Sequence, residues 1–94
     1  MRVEIKKFGE ILVSRPAGRE AYLILKSYLK PKTAGEPIEL DFSGVKVLAP
    51  SWADEVIGAL RREYGTRVKC GPSDNQSVIE SLKVIIPSDG VSDL

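Results

Sequence analysis

Apolar and polar residues alternate from Val3 to Phe8 and again from Glu10 to Val13, with Gly9 between the two runs. A period of two marks a half-buried strand, and glycine supplies turn freedom. The pattern therefore predicts two strands joined as a short antiparallel hairpin. Ser14 and Pro16 then signal a helix start, and Ala21, Leu23, Ile24, Leu25, Tyr28 and Leu29 recur at spacings that lay an apolar face along one side of a helix from about Pro16 to Leu29. Lys30 to Pro37 is polar and rich in helix breakers, which makes it a connector.

Ile38 to Phe42 reads as a short strand; Ser43-Gly44 interrupts it, and Val45, Val47 and Leu48 resume the apolar run. After Pro50, Ser51 with Asp54 three residues on approximates a capping box, with Asp54 and Glu55 placed where the helix dipole favours negative charge. Trp52, Ala53, Val56, Ile57, Leu60 and Tyr64 continue at helical spacing, and Gly65 is placed to close that second helix. Thr66 to Cys70 alternates as a half-buried or edge strand would, and Gly71-Pro72 ends it. Ser73 with Gln76 is expected to cap a third helix carrying Val78, Ile79 and Leu82. The order strand, strand, helix, strand, helix, strand, helix predicts an α/β fold: a mixed sheet of about four strands with helices packed on it.

Composition narrows the chemistry. The 94 residues suffice for one core, expected over residues 1–86 with a tail over 87–94, and 43% hydrophobic with 29% charged residues is the profile of a globular chain. A formal net charge of +1 does not advertise a polyanionic partner, and no apolar run approaches the roughly 20 residues of a membrane span. Histidine is absent, which removes the usual general base and the commonest transition-metal ligand. The single cysteine, Cys70, supports neither an internal disulfide nor a multi-cysteine metal site. These features, with charges where a signal peptide needs an apolar core, lead us to expect a cytoplasmic, non-enzymatic protein without cofactor or metal.

The segment Leu40-Asp41-Phe42-Ser43-Gly44-Val45, followed after five residues by Ser51 opening a helix, resembles the STAS domain of sulfate transporter tails and anti-sigma factor antagonists. Phe8 and Ser14-Arg15, with Ser51-Trp52-Ala53-Asp54-Glu55, make it more specifically similar to STAS-like domains of unassigned function, over roughly residues 8 to 84. In the antagonists a serine at this place is phosphorylated by a kinase that doubles as the anti-sigma factor. By position that serine is Ser51, and the partner the resemblance implies is a kinase of the histidine-kinase-like ATPase fold. Ala49 and Pro50 stand where the antagonists have Asp and Ser, and Trp52 where they have Gly.

The expected function is thus a protein-interaction module in signalling or gene regulation, docking through Ser51, Trp52, Asp54 and Glu55. The alternative is a small-ligand or nucleotide binder at the same helix N-terminus. Each residue also carries a plainer reading: Ser51 as a helix cap, Trp52 as core, and Asp54 and Glu55 as dipole complements. Asp41, with Asp54 and Glu55, is a magnesium candidate whose plainer reading is a turn aspartate. Arg61, Arg62, Arg67 and Lys69 form a basic cluster without interleaved aromatics, so nucleic-acid binding is not expected. Gly71 to Gln76 lacks the lysine-terminated form of a phosphate loop and reads as a turn.

Overall fold

Val3, Ile38, Leu40, Val68 and Cys70 bury their side chains while their strand neighbours point outward, and this alternation builds a sheet with one face on the core. The computed structural model describes residues 1–29 and 36–85. Strands β1 (Arg2–Glu4), β3 (Ile38–Asp41) and β5 (Val68–Cys70) form a three-stranded sheet in the order β1-β3-β5. Strands β2 (Ile11–Leu12) and β4 (Val47–Leu48) form a second, two-stranded sheet. All pairings are parallel, with Val3 opposite Leu40, Leu40 opposite Cys70 and Leu12 opposite Leu48. The α/β architecture is the one expected, with five short strands in two parallel sheets. Most of the connector expected over Lys30 to Pro37, and the tail over 87–94, lie outside the described residues.

The expected N-terminal hairpin does not form. After β1 the chain tightens into a 3-10 turn over Ile5–Phe8, and the Gly9 N–H donates to the Lys6 carbonyl at 2.9 Å. This carries the chain onward instead of back, so β1 pairs with β3 and β2 pairs with β4. Glu4 and Ile11 are seven positions apart and their partners Asp41 and Val47 six, so two segments run side by side with one extra residue absorbed in the first. Alternation reports which face is buried; it does not report which strand lies alongside.

Helix α1 (Arg15–Tyr28) starts at Ser14, whose Oγ accepts from the Ala17 N–H at 3.2 Å, with Pro16 in the first turn. Its buried stripe is Gly18, Ala21 and Leu25, continued by Leu29 beyond the helix end, whereas Leu23 and Ile24 are both 53% exposed. The expected apolar face is therefore rotated. In an almost continuous apolar run the phase is ambiguous, and close approach to a neighbouring helix decides it.

That neighbour is helix α2, residues 50–64, which contains an α-helical start (Pro50–Ala53), a wider π-helical turn (Asp54–Gly58) and an α-helical end (Ala59–Tyr64). Gly65 closes it with φ +63. Ser51 is not its cap. Ala49 occupies that position without a side-chain bond, and Pro50, which has no N–H to satisfy, opens the first turn. Helix α3 (Gln76–Ile85) likewise departs from expectation: Asn75 caps it, its Oδ1 accepting from the Val78 N–H at 3.2 Å, while Ser73 Oγ accepts from the Asn75 N–H at 3.1 Å. The serine shapes the turn, and the asparagine takes the cap.

The core gathers Leu25, Leu40, Leu48, Trp52, Ile57, Leu60, Val68 and Val78 between sheets and helices. Among the described residues no helix is long and apolar enough to cross a membrane.

Candidate functional site

The seam where the end of β2 and the start of α1 lie against α2 collects most of the residues singled out in the sequence. Three contacts define it. Ser51 Oγ donates to the Val13 carbonyl at 3.0 Å. Arg15 Nη1 donates to both Asp54 Oδ2 and Glu55 Oε1, at 2.9 and 3.0 Å. Gly18 lies so close to α2 that a methyl group there would stand 2.9 Å from the Trp52 carbonyl oxygen and 3.0 Å from Glu55 Cβ. Only a residue without a side chain allows the helices this near.

The seam is exposed and charged at its rim. The side chains of Arg15 and Asp54 are 54% and 45% exposed and Glu55 is 23% exposed. Its hydrogen bonds to Asp54 first, and then to Glu55, hold the Arg15 guanidinium above its ordinary pKa. Beneath the rim the seam is apolar: Trp52 is 1% exposed, and its ring centroid lies 6.3 Å from that of Phe8. Trp52 therefore belongs to the core and presents no ring to a partner. Ser51, Asp54 and Glu55 are brought together on one side of α2; Trp52 is turned away from them.

Beside the seam, β2 and β4 show solvent an apolar face. Ile11, Val13 and Val47 are 65%, 49% and 39% exposed, and Ile11 is the direct cross-strand partner of Val47. The Glu10–Lys46 ion pair, at 3.4 Å, accompanies them. Leu12 and Leu48, alternating with these residues, face the core at 2% exposure each. An apolar trio on the water side of a two-stranded sheet, next to charged groups, has the composition of a contact surface.

Asp41 sits elsewhere. Its Oδ2 accepts from Arg2 Nη2 at 2.6 Å, and its Oδ1 accepts from the Ser43 N–H at 3.0 Å and the Ser43 hydroxyl at 2.7 Å. The Arg2 bond first, and the two from Ser43 next, hold the Asp41 carboxyl well below the usual carboxylate range. This Asx turn fixes the break after β3. Asp41 thus pairs with Arg2 while Asp54 and Glu55 pair with Arg15, and among the described residues no three His, Cys, Asp or Glu side chains converge as a metal site would require. Beyond Ser43 an open depression of about 500 Å³ is lined by Phe42 to Val45 and Pro72 to Asn75, against the start of α3. Contrary to expectation the basic cluster does contain an aromatic: Tyr64 lies between Arg62 and Arg67, and Arg67 stacks over its ring at 5.1 Å.

Several residues of consequence were not singled out in the sequence. Ser77 Oγ accepts from the Leu48 N–H at 2.9 Å and donates to the Leu48 carbonyl at 3.0 Å; buried Ser81 donates to that same carbonyl. Asn75 Nδ2 donates to the Val45 and Lys46 carbonyls, both at 3.0 Å. Asn75 was findable, since asparagine immediately before an apolar-periodic run is a strong cap signal. Ser77 and Ser81 lie four apart on one helix face, but nothing in the sequence tells that this face meets β4.

Residues 20–70 match the family described as a STAS-like domain of unknown function (DUF4325). The match covers more than half of the chain, and the chain belongs to that family. It takes in the later part of α1 and all of β3, β4, α2 and β5, whereas Val13, Arg15 and Gly18, on the other side of the seam, precede it. No curated protein and no solved structure matches the chain.

Proposed function

We propose that this STAS-like domain is a non-enzymatic protein-interaction module that docks through the surface around Ser51, Asp54 and Glu55 together with the β2–β4 face. The observation carrying this reading is the exposed trio Ile11, Val13 and Val47, tied to Ser51 by the hydrogen bond to the Val13 carbonyl. An apolar centre beside a charged rim is how interfaces combine affinity with orientation. The STAS resemblance supplies the partner class, a kinase of the histidine-kinase-like ATPase fold, a role in signalling or regulation, and Ser51 as phosphoryl acceptor.

The test is calorimetric titration of the full chain with purified histidine-kinase-like ATPases of its own host, taken one by one. Wild type is expected to bind. The Ile11→Asp, Val47→Asp double variant, altered only on a water-facing surface, is expected to melt like wild type and to lose binding. Equal binding by both proteins would sink the reading.

A second reading, a small-ligand or nucleotide binder, is favoured by the depression between Phe42 to Val45 and Pro72 to Asn75. It shifts the ligand from the start of α2, where it was expected, to the start of α3. A thermal-shift panel of nucleoside mono-, di- and triphosphates addresses it, because a ligand that binds only the native state raises the melting midpoint.

A further inference from the structure

We infer that the crevice across the carboxyl ends of β1, β3 and β5 is a binding site for a small phosphorylated sugar, with Lys6 receiving its phosphate. The inference deepens the second reading above, on which it rests, by giving that ligand a chemical class. In an open parallel sheet the loops that follow the strands leave a crevice at their carboxyl ends, and ligands of such sheets lodge there. Here those loops are the turn Ile5–Phe8 after β1, Ser43-Gly44 after β3 and Gly71-Pro72 after β5. Ser43 lines three adjoining depressions: the one of about 500 Å³ against α3, one of about 320 Å³ beside Glu4, Lys6, Lys7 and Asp41, and one of about 300 Å³ beside Arg2 and Gly71. The largest has the size of a small-molecule site, roughly 300–1,000 Å³.

Within this crevice Gly44 fixes where Lys6 can lie. A methyl group on Gly44 would stand 2.6 Å from Lys6 Cδ, 3.2 Å from Cε and 3.3 Å from Nζ, so the lysine stem crosses the glycine and brings its ammonium to the edge of the large depression, which Gly44 lines. Gly44 also has φ +85, a conformation in which any side chain would be strained. Among the described residues neither Lys6 nor Lys7, from the same turn, has an ion pair. Of the two acids lining their depression, Asp41 is already held by Arg2 and Ser43, which leaves Glu4 against two ammonium groups. Two neighbouring ammonium groups suit a phosphate dianion, because each donates as a point charge without the bidentate geometry of arginine. At the α3 side of the large depression the chemistry inverts. Asp74 brings a carboxylate, and Ser73 Oγ, which accepts from the Asn75 N–H, has its own hydrogen to donate. A carboxylate accepts the hydroxyl hydrogens of a sugar and repels a second anionic group, so the ligand carries one phosphate on a hydroxylated body.

The experiment titrates the isotope-labelled full chain with ribose 5-phosphate at constant ionic strength and follows the backbone amides by two-dimensional NMR. Saturable shifts are expected at Lys6, Ser43, Gly44, Ser73 and Asp74, with an apparent affinity about tenfold or more weaker in Lys6→Gln, the loss of a charge-assisted hydrogen bond. Lys6 is exposed, so this variant should melt like wild type. Lys26→Gln, which removes the same charge from the last turn of α1, should bind like wild type. Ribose without the phosphate should leave the Lys6 and Gly44 amides unmoved. The inference is overturned by an absence of saturable shifts, by shifts centred elsewhere, by equal affinity in wild type and Lys6→Gln, or by equal weakening in Lys26→Gln. A nucleotide that stabilises wild type and Lys6→Gln alike in the thermal-shift panel would keep the small-ligand reading and reject the role of Lys6, so the two fail separately.

Discussion

The short β2–β4 sheet is held from two sides by different means. On the α3 side, Ser77, Ser81 and Asn75 bond to backbone groups of residues 45–48 with neutral, largely sheltered side chains. On the α2 side, the hold is an exposed hydroxyl on the Val13 carbonyl and an arginine shared between two carboxylates at the surface. A buried backbone group left without its partner costs its full desolvation, whereas water readily replaces an exposed one. The α3 side is therefore built to stay closed, and the α2 side to respond to charge at little energetic cost.

The largest expected effect removes what both sides share. Trp52→Ala should destabilise by about 3–5 kcal/mol in urea denaturation, by loss of buried area and the cavity left behind. A variant that retains wild-type stability would show that Trp52 is not core.

Next come two substitutions that separate the sides. Ser77→Ala strands the partly buried Leu48 N–H and should cost about 1–3 kcal/mol. Gly18→Ala forces a methyl against the backbone of α2, which cannot swing aside as a side chain would, and should cost about 1–3 kcal/mol through overpacking. Hydrogen exchange should then find faster opening at β4 in the first variant and between α1 and α2 in the second. Opening of the same amides in both would dissolve the distinction between the sides.

A smaller effect is expected at Ser51. Because it is not a cap, Ser51→Ala loses only a bond to an exposed carbonyl, about 1 kcal/mol or less, and Ser51→Asp should not restore it, since a carboxylate cannot donate to Val13. Recovery by aspartate in thermal melts would revive the capping role.

The smallest effect appears only in acid. The Asp41 carboxyl is held low by Arg2 and Ser43, so the unfolded chain takes up a proton at Asp41 before the folded one does. Its contribution to stability is present above the unfolded value of about 3.9 and is lost as pH falls through the lower folded value. The melting midpoint of Asp41→Asn should accordingly fall less steeply than that of wild type as pH is lowered below about 4. Parallel acid limbs would contradict the Arg2–Asp41 pairing.

Local signals alone determined much of this protein. The alternation in β1, β3 and β5, the helix start at Ser14 and Pro16, the apolar run of α2, its end at Gly65 and the STAS-like Asp41-Phe42-Ser43 segment are all legible in the chain, because each depends on the backbone preferences and spacing of neighbouring residues. Partners were not legible. That β1 and β2 run parallel to β3 and β4 instead of pairing with each other, that Ser51 gives its hydrogen to Val13 instead of capping, that Trp52 turns inward while Asp54 and Glu55 hold Arg15, and that Ser77 and Ser81 close the edge of β4 are facts about residues at least 29 positions apart. Periodicity states which side of an element is buried. Which element covers that side is decided when the helices approach as closely as Gly18 allows and each buried polar group must find a partner, conditions that exist only in the assembled fold.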